Sequence, residues 1–225
     1  MNQQEQSLET LNDIKKIMER SSRFISLSGI SGIGAGICAL IGAWLAHDYV
    51  FGYKDYIMDQ GNHANTGGTS WILNNRLFWI AVGTLIAAIL SAFLFTWLKT
   101  KKDGILIWSN SAMRLLLNLS IPLIAGAIFL FRLIHFGTFG LIAPGCLIFY
   151  GLALINASKY TLDDIRYLGY VQIILGIINL WFVGYGLYFW AFGFGFMHIV
   201  YGISMWWKYD RDKRIITGGK NDNDD

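Results

Sequence analysis

Charged residues are scarce in this chain of 225 residues, since only 15% are Asp, Glu, Lys or Arg, whereas a soluble domain carries about a quarter. They are absent altogether from three long stretches, 24–47, 77–98 and 167–207. An uncharged apolar stretch of roughly 18 or more residues is long enough to cross the hydrocarbon core of a bilayer as a helix. The scarcity of charge therefore excludes an ordinary soluble domain and predicts a protein that crosses a membrane several times.

Cysteine and histidine are scarce as well. The two cysteines, Cys38 and Cys146, both lie in apolar stretches, and they supply neither a disulfide framework nor the spacing of a metal site. The chain has four histidines, and no Asp or Glu lies inside a predicted span. These absences argue against a catalytic metal cluster, against a Ser-His-Asp arrangement, and against transport coupled to protons or cations.

The apolar segments predict an all-α integral membrane bundle of six transmembrane helices. An N-terminal region, 1–23, precedes the bundle of residues 24–207, and a polar tail, 208–225, follows it. The predicted spans are 24–47, 77–98, 115–135, 138–158, 167–184 and 187–207. Pro122 removes a backbone donor within the third span and is expected to kink it. The last two spans are so close in sequence that they must form a tight hairpin.

The positive charges predict the orientation of the spans. All but three of the 18 Lys and Arg residues fall on the side that holds both termini, and the exceptions are Lys54, Arg76 and Arg132. Because cytoplasmic loops carry the excess of Lys and Arg, both termini are predicted to be cytoplasmic. The net charge of +3 is explained by this topology, so no nucleic-acid partner is predicted.

Three segments outside the spans have their own patterns. Residues 8–20 place apolar side chains on one helical face and basic ones off it, which predicts an amphipathic helix on the inner membrane surface; the alternative is a plain cytoplasmic helix. Residues 105–117 look like a second surface segment. The external connection between His47 and Arg76 is rich in Gly, Asn and Thr in its middle, which is typical of a loop.

Small residues four apart predict the points at which helices cross, because they allow close backbone contact in lipid. The residues with this spacing are Ser28, Gly32 and Gly36 in span one, Gly83, Ala87 and Ser91 in span two, and Ala191 and Gly195 in span six.

Polar side chains at membrane depth are the candidate functional residues, because such groups are costly in hydrocarbon and often mark function. His198 of span six and Gln172 of span five are predicted to lie level near the midplane, and Asn179 lies on the same helical face as Gln172. A hydrogen bond between His198 and Gln172 would satisfy both groups; the alternatives are a proton relay or a ligand site. Arg132 is predicted to reach the outer interface or to bind an anionic group.

An external metal or haem site is a weaker alternative. His47, His63 and His135 belong to the predicted outer side, and imidazole can hold a divalent metal together with carboxylates. Their spacings match no recognised ligand motif, and no cofactor is predicted.

The run RSSRFISLSGISG at 20–32, together with RYLGYVQ at 166–172 and FGFMH at 194–198, resembles uncharacterised multi-span inner-membrane proteins of Bacteroidota-type bacteria. The resemblance covers most of the chain. It implies a location in the bacterial inner (cytoplasmic) membrane, and it implies no particular activity.

These observations favour a non-enzymatic membrane protein that acts by interaction or as an accessory or regulatory component. Its expected partners are the lipid bilayer and either another membrane protein or further copies of the chain. The alternative is a small oligomeric transporter or channel whose polar path is lined by Gln172, Asn179, His198 and Arg132. A membrane-embedded metal- or haem-binding protein comes third. Whether the polar residues face a shared cavity or each other separates the first two hypotheses.

Overall fold

The computed structural model describes residues 29–60, 76–103 and 110–210, and every regular element in these ranges is helical. Six helices follow one another: α1 (Gly29–Gln60), α2 (Arg76–Asp103), α3 (Asn110–His135), α4 (Ile142–Ala157), α5 (Asp164–Trp181) and α6 (186–210). Short 3-10 turns at Phe139–Leu141, Ser158–Tyr160 and Val183–Tyr185 connect the last four. The prediction of an all-α fold is confirmed for these residues.

α6 is not a regular α-helix throughout. It consists of α-helical Gly186–Trp190, π-helical Ala191–Met197, α-helical His198–Met205 and π-helical Trp206–Asp210. A π-helical turn replaces the regular i to i+4 hydrogen bonds with i to i+5 bonds, and it often occurs at functional sites. The first π-helical segment contains Gly193, whose carbonyl oxygen accepts side-chain hydrogen bonds.

Five segments are long and apolar enough to cross a membrane: Gly29–His47, Arg76–Lys101, Asn110–His135, Phe139–Tyr160 and Val183–Lys208. Helix α5, predicted as the fifth of six spans, has 18 residues but is not one of the five. Its first turn carries Asp164 and Arg166, and its buried face carries Gln172 and Asn179, so its mean hydropathy is lowered. The described residues thus contain five candidate spans where the sequence predicts six.

Several helix boundaries differ from the predicted ones, among them the end of α1 and the start of α3. α1 continues as far as Gln60, so the first part of the predicted external loop after His47 is helical; no proline interrupts this stretch. α3 begins at Asn110, so the end of the predicted surface segment belongs to this helix. The predicted interfacial helix at 1–23, the middle of the external loop and the tail after Asp210 lie outside the described residues.

The helices form two groups of three that meet along α6. In the first group α1 packs against α2 on one side and against α6 on the other. In the second group α4 packs against both α3 and α5. Helix α6 also contacts α4 and α5, so it lies between the two groups.

Glycine allows α1 and α6 to approach closely. A Cβ atom on Gly36 would lie 2.8 Å from the carbonyl oxygen of Gly195, and one on Gly202 would lie 2.6 Å from that of Gly29. Such distances are too short for any side chain, and close backbone contact of this kind is how helices associate in lipid. Gly32 also faces Gly202. The predicted crossing point at Gly32 and Gly36 is confirmed.

A second glycine contact joins α4 to α5, and the spacing of small residues did not reveal it. A Cβ atom on Gly151 would lie 2.7 Å from the carbonyl oxygen of Gly169, and one on Gly169 would lie 2.8 Å from that of Gly151. By contrast, among the described residues nothing lies within 4 Å of the Cβ position of Gly83. Gly83 therefore contacts no other described helix. Ser91 of the same predicted stripe does face α1, because its Oγ lies 3.5 Å from the Cβ position of Gly34 and 3.9 Å from the Cys38 sulfur.

Helix α3 runs through Pro122 without interruption. Proline has no N–H, so the carbonyl oxygen of Asn118, four residues earlier, lacks its helical donor. The side-chain Nδ2 of Asn156 in α4 donates to this oxygen at 2.8 Å. A neighbouring helix therefore supplies the hydrogen bond that the proline removes.

Candidate functional site

A buried polar cluster lies where α4, α5 and α6 meet. We define it by Tyr150 on α4, Gln172 on α5, and Gly193 and His198 on α6. Gln172 is 0% exposed and His198 is 7% exposed. The cluster therefore lies inside the bundle, with a backbone carbonyl of the π-helical segment at its centre.

The carbonyl oxygen of Gly193 accepts two side-chain hydrogen bonds. Gln172 donates from Nε2 at 2.7 Å, and Nδ1 of His198 lies 3.0 Å from the same oxygen. Because a carbonyl oxygen can only accept, the ring proton is assigned to Nδ1. Nε2 of the neutral ring then accepts from the hydroxyl of Tyr150 at 2.8 Å. The hydrogen-bond network thus fixes both the tautomer and the orientation of the imidazole.

Gln172 and His198 lie at the same level, as the sequence predicts, but they do not bond to each other. Both bond to the carbonyl oxygen of Gly193, so the predicted direct hydrogen bond is wrong. A carbonyl oxygen has two lone pairs, so it can accept side-chain bonds as well as a bond of the helical ladder. Gly193 lies in the π-helical segment Ala191–Met197, where the ladder is shifted from the i+4 to the i+5 register.

Aromatic rings surround the imidazole of His198. Phe194 stacks on it with the ring centroids 5.9 Å apart, and Tyr150 lies 5.0 Å from Phe194. Trp190 continues the same face of α6, at 5.2 Å from Phe194. Rings of this size keep water away from the polar cluster, and hydrogen bonds are stronger where the local dielectric constant is low.

The two buried amides of α5 each have one satisfied end and one unsatisfied end. Nδ2 of Asn179 donates to the carbonyl oxygen of Phe182 at 3.0 Å, as Nε2 of Gln172 donates to that of Gly193. Their oxygens, Asn179 Oδ1 and Gln172 Oε1, are buried and have no hydrogen-bond partner among the described residues. The two amides lie on one face of α5, as predicted, and this face is buried, since Asn179 is also 0% exposed.

Towards the Asp164 end of α5 the contact between these helices becomes apolar. Side chains of α6 pack there against a buried apolar cluster. Its buried members are Leu154, Ile165 and Leu168. At the end itself, Nζ of Lys208 lies 2.8 Å from a carboxylate oxygen of Asp164. A polar path along the whole of α5 would have to pass the apolar cluster.

Arg132 is exposed in the last turn of α3. Its guanidinium group lies 4.0 Å from the centre of the Phe136 ring, which is a cation–π contact. A basic group also stabilises the C-terminal end of a helix through the helix dipole. No hydrogen bond of the described residues joins Arg132 to the polar cluster, and binding of an anionic group stays a prediction.

The histidines proposed as weaker metal ligands are only partly described. The ring of His47 meets Tyr188 edge-on at 6.4 Å, and that of His135 meets Phe136 at 6.3 Å. In the part of the chain that the structure describes, no group of three or more His, Cys, Asp or Glu residues could hold a metal ion. His63 lies outside these ranges, so a site that includes it stays a prediction.

Two polar contributors, Tyr150 and Asn156, were missed by the sequence analysis, although the sequence contains a signal for each. Tyr150 falls in the middle of span four, whereas tyrosine in membrane proteins prefers the interfaces. For Asn156 the signal is Pro122, because a proline inside a helix leaves a carbonyl that some other donor must satisfy.

The helices and their composition define the class of this protein, an all-α chain with candidate membrane-spanning helices. It matches no protein-family model, and no curated protein or solved structure matches it significantly. The polar cluster and its surroundings are therefore the features that bear on function.

Proposed function

We propose that this chain is a six-span protein of the bacterial inner (cytoplasmic) membrane with both termini cytoplasmic. α5 is joined to two candidate spans by the short turns Ser158–Tyr160 and Val183–Tyr185. Its 18 residues extend about 27 Å, close to the roughly 30 Å of the hydrocarbon core. Because α5 packs along α4, it is expected to cross the bilayer with it. The distribution of Lys and Arg supports the orientation, and the resemblance supports the bacterial inner membrane.

Labelling of single cysteines tests this topology. In a background with Cys38→Ala and Cys146→Ala, we place one cysteine at Asn65 or at Lys220. The expected result is that an impermeant thiol reagent labels Asn65→Cys in intact cells and labels Lys220→Cys only after permeabilisation. Labelling of both positions from the same side would contradict the six-span topology.

The function that the geometry supports best is non-enzymatic: an interaction, accessory or regulatory component of the membrane. The observation that carries this proposal is the use of the midplane polar groups in helix packing. Gln172 and His198 both bond to the carbonyl oxygen of Gly193, and Tyr150 bonds to His198. Groups engaged in this way hold helices together and are not presented to a substrate.

The outward faces of the bundle support partners within the membrane. Large apolar side chains on α2 and α3 are strongly exposed, for example Leu90 at 61% and Ile128 at 67%. Lipid chains are the natural contact for such side chains, and a second copy or another membrane protein can replace lipid there.

A small transporter or channel is the second candidate, because one observation favours it. The unsatisfied oxygens of Gln172 and Asn179 lie on one face of α5, as the acceptors of a polar path would. The apolar cluster of Leu154, Ile165 and Leu168 argues against a path through the whole bundle.

Reconstitution distinguishes the two candidates. We would compare the permeation of K⁺, Cl⁻ and glycerol into liposomes that contain the protein, its His198→Leu variant, or no protein. The accessory role predicts equal permeation in all three. The accessory role further predicts that a photo-crosslinking residue in place of the exposed Leu90 gives a discrete crosslinked product with a partner in cells. The same residue in place of the buried Leu147 should give none. Permeation above that of empty liposomes, abolished by His198→Leu, would favour the transporter instead.

A further inference from the structure

An open groove runs along α4 between α3 and α5. Both of these helices pack against α4, whereas among the described helices α3 and α5 make no comparable contact with each other. The floor of the groove is accessible, because Leu152 of α4 is 44% exposed. Ile121 on the α3 side is 66% exposed, and Ile177 on the α5 side is 43% exposed. The groove is therefore apolar and open to the bilayer.

Two basic residues lie at one end of this groove, where α3 begins and α4 ends. Lys159 belongs to the turn Ser158–Tyr160, which contacts both α3 and α5. Arg114 lies one turn before Asn118, whose carbonyl oxygen accepts the hydrogen bond from Asn156 of α4. Because α3 and α4 are antiparallel, Arg114 and Lys159 both lie beyond that bond, towards the same end of the bundle.

Arg166 adds a third basic residue from α5. Gln172 of this helix faces α6, and Gly169 faces α4. Each step back of three residues turns the helix face by about 60° in the same sense, so Arg166 faces the groove. All three basic residues are exposed. We call Arg114, Lys159 and Arg166 the basic cluster.

The basic cluster carries more charge than its surroundings neutralise. Among the described residues, no carboxylate pairs with any of its three members. Asp164, at the start of α5, is paired with Lys208 of α6 at 2.8 Å. Asp163 is the one other carboxylate of the connection between α4 and α5. An anion at this end therefore meets three cations and one remaining carboxylate.

The basic cluster lies at the level of lipid head groups. Arg114 and Arg132 are 18 residues apart in α3, which is about 27 Å along the helix and close to the roughly 30 Å of the hydrocarbon core. Arginines at the two ends of a span reach opposite interfaces, and the exposed Ile121 lies between them. A head group beside the basic cluster therefore places its acyl chains in the groove.

We propose that the basic cluster and the groove form a binding site for one anionic phospholipid. Its phosphate contacts the three cations, and its acyl chains lie over Leu152 between α3 and α5. Basic pockets between transmembrane helices bind anionic head groups in this way. The proposal rests on the part of the proposed function that places α3 and α4 across a bilayer, and cysteine labelling tests that part separately. The bound lipid bridges two helices that do not pack on each other.

Native mass spectrometry of the delipidated full-length protein in a mild detergent tests the binding. The protein is titrated with phosphatidylglycerol, with phosphatidylcholine, which has the same chains and no net charge, and with glycerol phosphate, which has the phosphate and no chains. We expect phosphatidylglycerol to bind at a concentration at least several-fold lower than the other two. Equal binding of phosphatidylcholine would mean that charge is not selected, and equal binding of glycerol phosphate would mean a site for free phosphate. Either result overturns the proposal.

Paired variants locate the head group. Arg114→Gln together with Lys159→Gln should raise the apparent Kd for phosphatidylglycerol at least several-fold. The control, Lys99→Gln together with Lys101→Gln, removes the same charge at the C-terminal end of α2 and should leave the apparent Kd unchanged. Equal losses in both pairs would mean that surface charge attracts the lipid without a defined site, which contradicts the proposal.

A further variant tests the groove and keeps all three cations. Leu152→Trp fills the floor of the groove, so it should weaken the binding of phosphatidylglycerol. Leu85→Trp, at a position of α2 that is 60% exposed, should bind the lipid as the native protein does. Both leucines face outward, so neither change disturbs the core. Unchanged binding by Leu152→Trp would show that the acyl chains lie elsewhere and would overturn the proposal.

Discussion

Two hydrogen bonds in this protein use the same arrangement in different surroundings. In each, a side-chain amide of one helix donates to a backbone carbonyl of its neighbour: Asn156 to Asn118 at 2.8 Å, and Gln172 to Gly193 at 2.7 Å. In each, the hydrogen-bond ladder of the accepting helix is irregular, because Pro122 lacks a donor in α3 and because α6 has a π-helical segment.

The difference between them lies in what else reaches the carbonyl. The oxygen of Asn118 has lost its helical donor to Pro122, and Asn156 replaces it from a half-buried position. The oxygen of Gly193 accepts from both Gln172 and His198, and the fully buried Gln172 keeps an unsatisfied oxygen. The bond from Asn156 only replaces the backbone donor that proline removes. The bond from Gln172 is one of two side-chain bonds to the same carbonyl, and the side-chain oxygen of Gln172 stays without a donor. An intramembrane amide is therefore best interpreted through the carbonyl that it faces.

The largest expected effect comes from Gly193→Ala. The added methyl group would meet Cδ2 of Leu147 at 2.5 Å and Oε1 of Gln172 at 2.6 Å, so Gln172 must move and its bond must lengthen or break. We expect the free energy of unfolding in SDS titrations to fall by about 1–3 kcal/mol. The control is Gly83→Ala, where nothing described lies within 4 Å and the helix gains up to about 1 kcal/mol. Equal effects of both changes would show that the Gly193 contact is loose.

An intermediate effect is expected when both donors to Gly193 are removed. Gln172→Met should cost about 0.6 kcal/mol, the average for a hydrogen bond between membrane helices, because His198 still donates to Gly193. His198→Leu should cost more, because it removes the bond to Gly193 within α6 and also the acceptor of the Tyr150 hydroxyl. The double variant leaves the carbonyl without a side-chain donor, so its loss should exceed the sum of the single losses. A direct bond between the two side chains would give a double loss smaller than the sum, and a double-mutant cycle distinguishes these outcomes.

The smallest effect is expected at Asn156, and it should depend on the proline. Asn156→Leu should cost about 0.6 kcal/mol in the native chain. In a Pro122→Ala background the N–H of residue 122 can reach the carbonyl of Asn118, so the same change should cost close to nothing. Thermal unfolding in detergent of the four proteins completes this cycle. An unchanged cost in the Pro122→Ala background would mean that Asn156 does not substitute for the missing donor.

The sequence predicted the features that depend on the hydropathy and the spacing of residues within single helices. The tight α5–α6 hairpin, the crossing at Gly32 and Gly36, and the common level of Gln172 and His198 follow from hydropathy and residue spacing, and the structure agrees with them. The shared carbonyl could not be predicted, because a π-helical segment has no local sequence pattern and depends on contacts with other helices. The end of α1 at Gln60 was missed because hydropathy shows where a span ends but not where a helix ends.

The glycine contact between α1 and α6 has a consequence for the order of assembly in the membrane. A chain is synthesised from its N-terminus, so α1 is made long before α6, the last described helix, can reach it. Until then the backbone at Gly29, Gly32 and Gly36 has no matching surface at Gly195 and Gly202. The α3–α4–α5 group has its partners earlier. A nascent chain that stops short of α6 therefore leaves the glycine face of α1 open to other helices until α6 covers it.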